Sequence, residues 1–372
     1  MQIKWAKRLL RRLPGDPASL LDRAKTYADP VFFRIFLDHL DALLFDDPQS
    51  ALRWAKIAPH LALLTPEAEG PEGREDHRNR LTQAWAICGG AQFACGNHAA
   101  AEEAFDEALE LIDSEVITSV IKSEVYRRRA YLRVCQGRPE EALSLAESSL
   151  DHAGDQPLAV ALALVCEGYA AATLRRYSDA LRAFGEALTL IDPKDSPAAA
   201  RVHLAAIGNL AYVVSSSPRH ADHTAALDYI RQARELVKGG RRFVPRYRLL
   251  WVEGLVWARL GYHARAETAF KIAREGFEAL EMPFEIALVS LDLGAVYAEH
   301  SEWDKLTPLA VETFQRFRVL AADTGTIAAL SLWTDAVKAR KLTDEITTRA
   351  RQKIEARIGA GGCCKSRERS TV

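Results

Sequence analysis

A pattern of small and aromatic residues returns about every 40 residues along this chain, and self-similarity at that period restricts it to stacked helical hairpins. One helix carries a glycine near its middle. The next carries an Ala, an aromatic residue four positions on, and a further Ala. The cleanest copy is Trp85, Gly89, Gly96, Ala101, Phe105 and Ala108. It recurs as Gly168, Tyr177, Ala180, Phe184 and Ala187, and again as Gly254, Gly261, Ala266, Phe270 and Ala273. A chain of 372 residues, 48% hydrophobic, is too long for one ordinary core. The repeat resolves this as an array in which each hairpin buries its apolar face only against its neighbours.

The period divides the chain. Asp29-Pro30 and Asp47-Pro48 read as N-cap and first-turn pairs that start helices, and Pro59 should break the second of these. Residues 29–64 then form a degenerate first hairpin, with Phe32, Phe33, Phe36, Leu40 and Leu43 on one face. Residues 65–80, rich in Pro, Gly and Glu, read as an exposed loop. Regular pairs follow over 81–320: 81–95 with 99–111, 116–136 with 139–153, 158–174 with 178–191, 197–215 with 223–238, 244–260 with 263–278, and 283–300 with 303–320. Ser215 to Pro218 reads as a loop insertion in the fourth pair. Residues 321–358 are expected to form two C-terminal capping helices with a polar outer face, and 359–372 a flexible tail. Residues 1–28 are expected to hold a basic N-terminal capping helix and linker, with Lys4, Lys7, Arg8, Arg11 and Arg12 opposite Ile3, Leu9, Leu10 and Leu13.

Gly89, Gly168, Gly208, Gly254 and Gly294 all fall mid-helix, where Gly costs roughly 1 kcal/mol relative to Ala. Their common phase predicts close helix contact, with the partner's Ala or aromatic residue filling the space. Gly96, Gly137 and Gly261 fall where a left-handed residue ends a helix.

These motifs resemble the tetratricopeptide repeat (TPR) superfamily over about 81–320, and more weakly over 29–64. Leu293, Gly294 and Tyr297 also fit its signature, whereas Ala146 and Ala310 replace the aromatic residue. The period of about 40 exceeds the family's usual 34. The resemblance implies an all-α TPR-like α-solenoid, a right-handed superhelix whose first helices line a concave groove. Carried onto this sequence, the groove positions are Gln83, Phe93, Glu124, Arg127, Tyr131, Tyr169, Thr173, Asn209, Tyr212, Arg248, Trp251 and Arg259. Arg and aromatic residues dominate binding energy at interfaces. Arg127 and Arg248 would grip carboxylates, Asn209 would bond peptide backbone, and Tyr131, Tyr169, Tyr212 and Trp251 would anchor apolar groups. The alternative is that several of them pack between repeats. Some family members clamp chaperone C-termini with Lys, Asn and Arg; here Ala205 occupies the Lys slot one turn before Asn209, which argues against that role.

Catalytic and metal patterns give little. His220 and His223 flank Asp222 with no third ligand nearby in sequence, so no metal is expected there. Arg34 to His39 resembles the Arg-x4-His motif of HEPN-type ribonucleases, but its Phe neighbours mark a core face. No phosphate loop, His-Glu-x-x-His or nucleophile elbow is present. Cys363-Cys364 reads as an exposed vicinal pair, and Ser370-Thr371-Val372 would suit a carboxylate-capturing groove. Cys88, Cys95, Cys135 and Cys166 fall within predicted helices and read as buried thiols of a cytoplasmic protein. A net charge of −1 argues against nucleic acid, and no run approaches the roughly 18 apolar residues of a membrane span.

The expectation is a non-enzymatic scaffold or adaptor without cofactor that takes a protein or peptide in its concave groove, with self-association through the capping helices as a further contact. The alternative is a peptide-sensing regulator. About 28 residues precede the first hairpin, too few for a helix-turn-helix, so such a regulator would act through a separate effector.

Overall fold

The computed structural model describes residues 27–113, 117–216, 222–237, 244–319 and 324–360, together with Trp5, Pro17, Ser19 and Asp22. The sequence features at 1–4, 7–13, 217–221 and 361–372 lie outside these, including the basic N-terminal positions, His220, Cys363-Cys364 and the C-terminal tripeptide. Among the described residues there is no strand.

Three helices come first: α1 (Pro30–Asp46), α2 (Pro48–Ala55) and α3 (Ala58–Leu64). Asp29 caps α1 by accepting from the Phe32 amide at 2.8 Å, and Asp47 caps α2 by accepting from Ser50 at 3.0 Å. Pro59 falls in the first turn of α3, so the chain breaks there as expected. Phe32, Phe33, Phe36 and Leu40 of α1 are fully buried.

The next helix, α4 (Pro71–Ala94), corrects the sequence reading, which placed a loop as far as residue 80. Pro71 sits in its first turn with Glu72 complementing the helix dipole. The preceding segment folds back over it. The Ala68 carbonyl oxygen lies 1.9 Å from where a Cβ on residue 73 would stand, a space that only Gly73 leaves open. Arg80 completes the junction by donating to the Pro66 carbonyl at 3.2 Å and pairing with Asp76.

Antiparallel pairs follow: α4 with α5 (His98–Ile112), α6 (Ser119–Cys135) with α7 (Pro139–His152), α8 (Pro157–Thr173) with α9 (Tyr177–Leu190), α10 (Pro197–Ser216) with α11 (His223–Leu236), α12 (Val244–Arg259) with α13 (His263–Ala279), and α14 (Pro283–Glu299) with α15 (Trp303–Val319). Helix α10 runs through Ser215 and Ser216, which the sequence reading gave to a loop; their hydroxyls donate to the Tyr212 carbonyl at 2.8 and 2.6 Å.

The mid-helix glycines have the expected cause at three positions. A Cβ on Gly89, Gly168 or Gly254 would stand 2.7, 2.6 or 2.6 Å from the ring of Phe105, Phe184 or Phe270. Two positions depart from it. Gly208 faces open space, because its pair carries Ile230 rather than a ring, and Gly294 is approached at 2.8 Å by Trp333, which lies beyond its pair in the segment Thr324–Lys338.

Two further helices, α16 (Thr324–Lys338) and α17 (Asp344–Ala360), end the described chain. The sequence reading made them a terminal cap. Helix α17 packs on α16 and also meets α14, α5 and α6, bringing the end of the array onto its first regular pairs. Arg351 on α17 pairs with Asp292 on α14. The first hairpin closes from the other side: α1 touches α12, and Gln49 donates to the Glu281 carbonyl at 3.3 Å.

Helix α10 is long and apolar enough to cross a membrane by length and composition, with a mean hydropathy of 1.2 over its best window. The sequence reading saw no such run. Half of that window is buried, packed among α8, α9, α11 and α12.

Candidate functional site

The predicted groove positions fall on the first helices of the pairs. Tyr131 on α6 lies 5.9 Å, centroid to centroid, from the ring of Tyr169 on α8. Burial pushes the Tyr131 phenol well above its ordinary value, against the opposing charges of Arg127 and Arg248. Arg248 belongs to α12, two pairs beyond α8, so its charge acts on Tyr131 from a non-adjacent pair.

Most of the predicted contact groups already have partners. Arg248 pairs with Glu285 at 3.2 Å, and burial pushes the Glu285 carboxyl up despite that guanidinium. Trp251 donates from its indole to Asp292 at 2.7 Å and meets Phe277 edge-on at 6.3 Å. Arg259 lies 5.5 Å over the Tyr212 ring and donates to the Ser215 hydroxyl at 2.8 Å. Arg127 and Asn209 differ. Each is half-buried; among the described residues Arg127 forms no ion pair and the Asn209 side chain no hydrogen bond.

Helix α1 supplies residues that sequence reasoning missed. The Asp41 carboxylate is held by Arg128, itself buried and paired with Glu124 at 2.8 Å. Burial works to raise the Asp41 pKa, but Arg128, then Arg127 and Arg201, hold it below the ordinary carboxylate range. Arg201 on α10 lies 4.9 Å over the Phe45 ring. The first helix thus places the Asp41 carboxylate against Arg128, within the field of Arg127 and Arg201. Asp41 and Arg128 stand 87 positions apart, and nothing in local spacing links them.

The other candidates resolve simply. Arg34 is exposed near Asp38, while His39 is partly buried, with burial lowering its pKa against the charge of Asp46. Cys88, Cys95 and Cys166 are buried, and burial pushes their thiols to about 11, 12 and 12, so they are poor nucleophiles. His223 opens α11 as its first residue, and the Asp222 carboxylate caps that helix by accepting from Ala225 at 2.9 Å. Among the described residues a different trio, His263, Glu299 and His300, brings its ligand atoms within 4.8 Å of one another. Sequence reading missed it because its histidines lie about one repeat apart.

No protein-family model matches the chain. No curated protein matches it in sequence. Its fold does have solved relatives, and it is that of a TPR-like helical solenoid. A Rap protein complexed with competence and sporulation factor aligns over 87% of this chain and 87% of its own, with a TM-score of 0.63 and 13% identity. The apo form of RapI aligns over 86% and 85%, with a TM-score of 0.50 and 13% identity. A thermophilic TPR protein of Thermus thermophilus aligns over 58% of this chain and 99% of its own, with a TM-score of 0.43 and 19% identity.

Proposed function

We propose that this protein is a non-enzymatic scaffold that binds a peptide segment in its concave groove. The observation that carries the proposal is the contrast among the groove's polar groups. Arg128, Arg248 and Arg259 are each held by the chain itself, whereas among the described residues Arg127, which adds its charge to the surroundings of Tyr131 and Asp41, is half-buried without an ion pair and Asn209 is half-buried without a side-chain hydrogen bond. A half-buried guanidinium gains most from a carboxylate, and a carboxamide from a peptide backbone group. Tyrosine rings supply apolar area at low entropic cost. The segment would carry a carboxylate beside Arg127 and an apolar side chain against the tyrosines.

The test is selection from a displayed random-peptide library. The proposal expects enriched acidic peptides that bind the wild-type chain and lose at least tenfold in affinity on Arg127→Ala or Asn209→Ala, with the thermal midpoint unchanged. Binding that ignores both substitutions would contradict it.

A peptide-sensing regulator acting through a separate effector is the second reading, and closure of the array favours it. Trp251 is tied through Asp292 to Arg351 on α17, and Asp41 of α1 reaches the arginines of α6 and α10. A ligand entering such a space would meet both ends of the chain. One fold neighbour, a Rap protein, was solved complexed with competence and sporulation factor. Short peptides that raise the thermal midpoint would support this reading, and large partners bound with no response to peptide would oppose it.

A further inference from the structure

We infer that His263, Glu299 and His300 form a site for a divalent transition metal such as Zn2+, bridging the fifth and sixth regular pairs. His263 begins α13, and Glu299 and His300 close α14; stacking of successive repeats brings the two turns together. The ligand atoms of all three lie within 4.8 Å of one another. The imidazole centroids are 3.5 Å apart, closer than the roughly 4.5–7 Å usual for ring pairs, so the two rings share one small space. One further feature points to a ligand. The Nδ1 atom of His263 is buried without a hydrogen-bond partner among the described residues.

The second ring is oriented for ligation. His300 Nδ1 lies 3.0 Å from the Val296 carbonyl oxygen, which can only accept. That nitrogen therefore carries the proton, and in the neutral ring Nε2 keeps its lone pair. Hydrogen bonding of one ring nitrogen to a carbonyl is how metal-binding histidines are commonly fixed. Two imidazoles and a carboxylate suit zinc, cobalt or nickel better than calcium or magnesium, which prefer all-oxygen shells. With Zn–N bonds of about 2.0–2.1 Å, tetrahedral binding would part the rings to about 5 Å, a motion open to residues at a surface turn. Water would take the fourth position. The ion would staple the two pairs together, and the site is independent of the groove reading.

The experiment is titration of the metal-free full-length chain with ZnCl2 by calorimetry, with Co2+ absorption as the spectroscopic probe. The expected result is one ion per chain and visible cobalt bands without a thiolate charge-transfer band. Zinc should raise the thermal midpoint of the wild type. His263→Gln and His300→Gln should each weaken binding at least tenfold, while a Cys363→Ser/Cys364→Ser variant binds as the wild type does. Circular dichroism checks that each variant is folded. No saturable one-to-one binding, binding indifferent to both histidine substitutions, or binding lost only in the cysteine variant would overturn the assignment.

Discussion

Three of the regular pairs close on a contact as small as one missing methyl group. Gly168 lets the Phe184 ring lie where a Cβ would stand 2.6 Å away, and the ring is fully buried as a result. Gly168→Ala should therefore destabilise the chain by about 1–3 kcal/mol through overpacking. Gly208→Ala has no clash and should be neutral or stabilising by up to about 1 kcal/mol. Urea midpoints of the two variants separate these outcomes. The turns supply a companion case. Gly96 and Gly261 take φ of 79° and 75°, but the equivalent turns place Arg175 and Ser301 at 59°. Replacing either with Gly should stabilise by about 0.5–1 kcal/mol, since only Gly adopts this region without strain. Much of this was legible, because glycine and ring recur in phase. Gly294 was not, since its ring comes from Trp333 outside the repeat unit.

Among the elements, α5 and α6 are joined by a dense ion-pair group. Glu102 receives Arg129 at 2.7 Å and is also paired with Arg133. Burial would raise the Glu102 carboxyl, but hydrogen bonds from Arg133 and Gln136 and the charges of Arg133 and Arg129 outweigh it and hold the group at about 2. A depressed carboxylate stabilises the fold above its ordinary pKa of 4.5, and that contribution fades as pH falls toward 2. It amounts to about 3 kcal/mol at most. Denaturation at pH 7 and pH 3 should show the wild type losing more stability than Glu102→Gln over that interval. The helices themselves were largely readable from period and caps. The start of α4 was not, because a Pro-, Gly- and Glu-rich composition conceals the back-folded contact over Gly73 and the Arg80–Asp76 pair.

At the scale of the molecule, the first and last described helices both fold back onto the array. Helix α17 reaches the first regular pairs, and α1 presents Asp41 to Arg128, Arg127 and Arg201. Asp41→Asn should cost about 1–3 kcal/mol by leaving the buried Arg128 with Glu124 alone. It should also speed proteolytic cleavage within α1, as limited proteolysis would detect. These closures were not readable in the sequence, since they join positions far apart with no motif between them. The groove candidates were readable as residue types, but not which of them the chain would satisfy for itself. Arg248, Trp251 and Arg259 are engaged, and Arg127 and Asn209 are the groups that the proposal assigns to a ligand. The most direct measurement is the affinity of a selected acidic peptide for the wild-type chain and for Arg127→Ala. The account predicts at least a tenfold loss with an unchanged melting temperature; equal affinity for both proteins would contradict it.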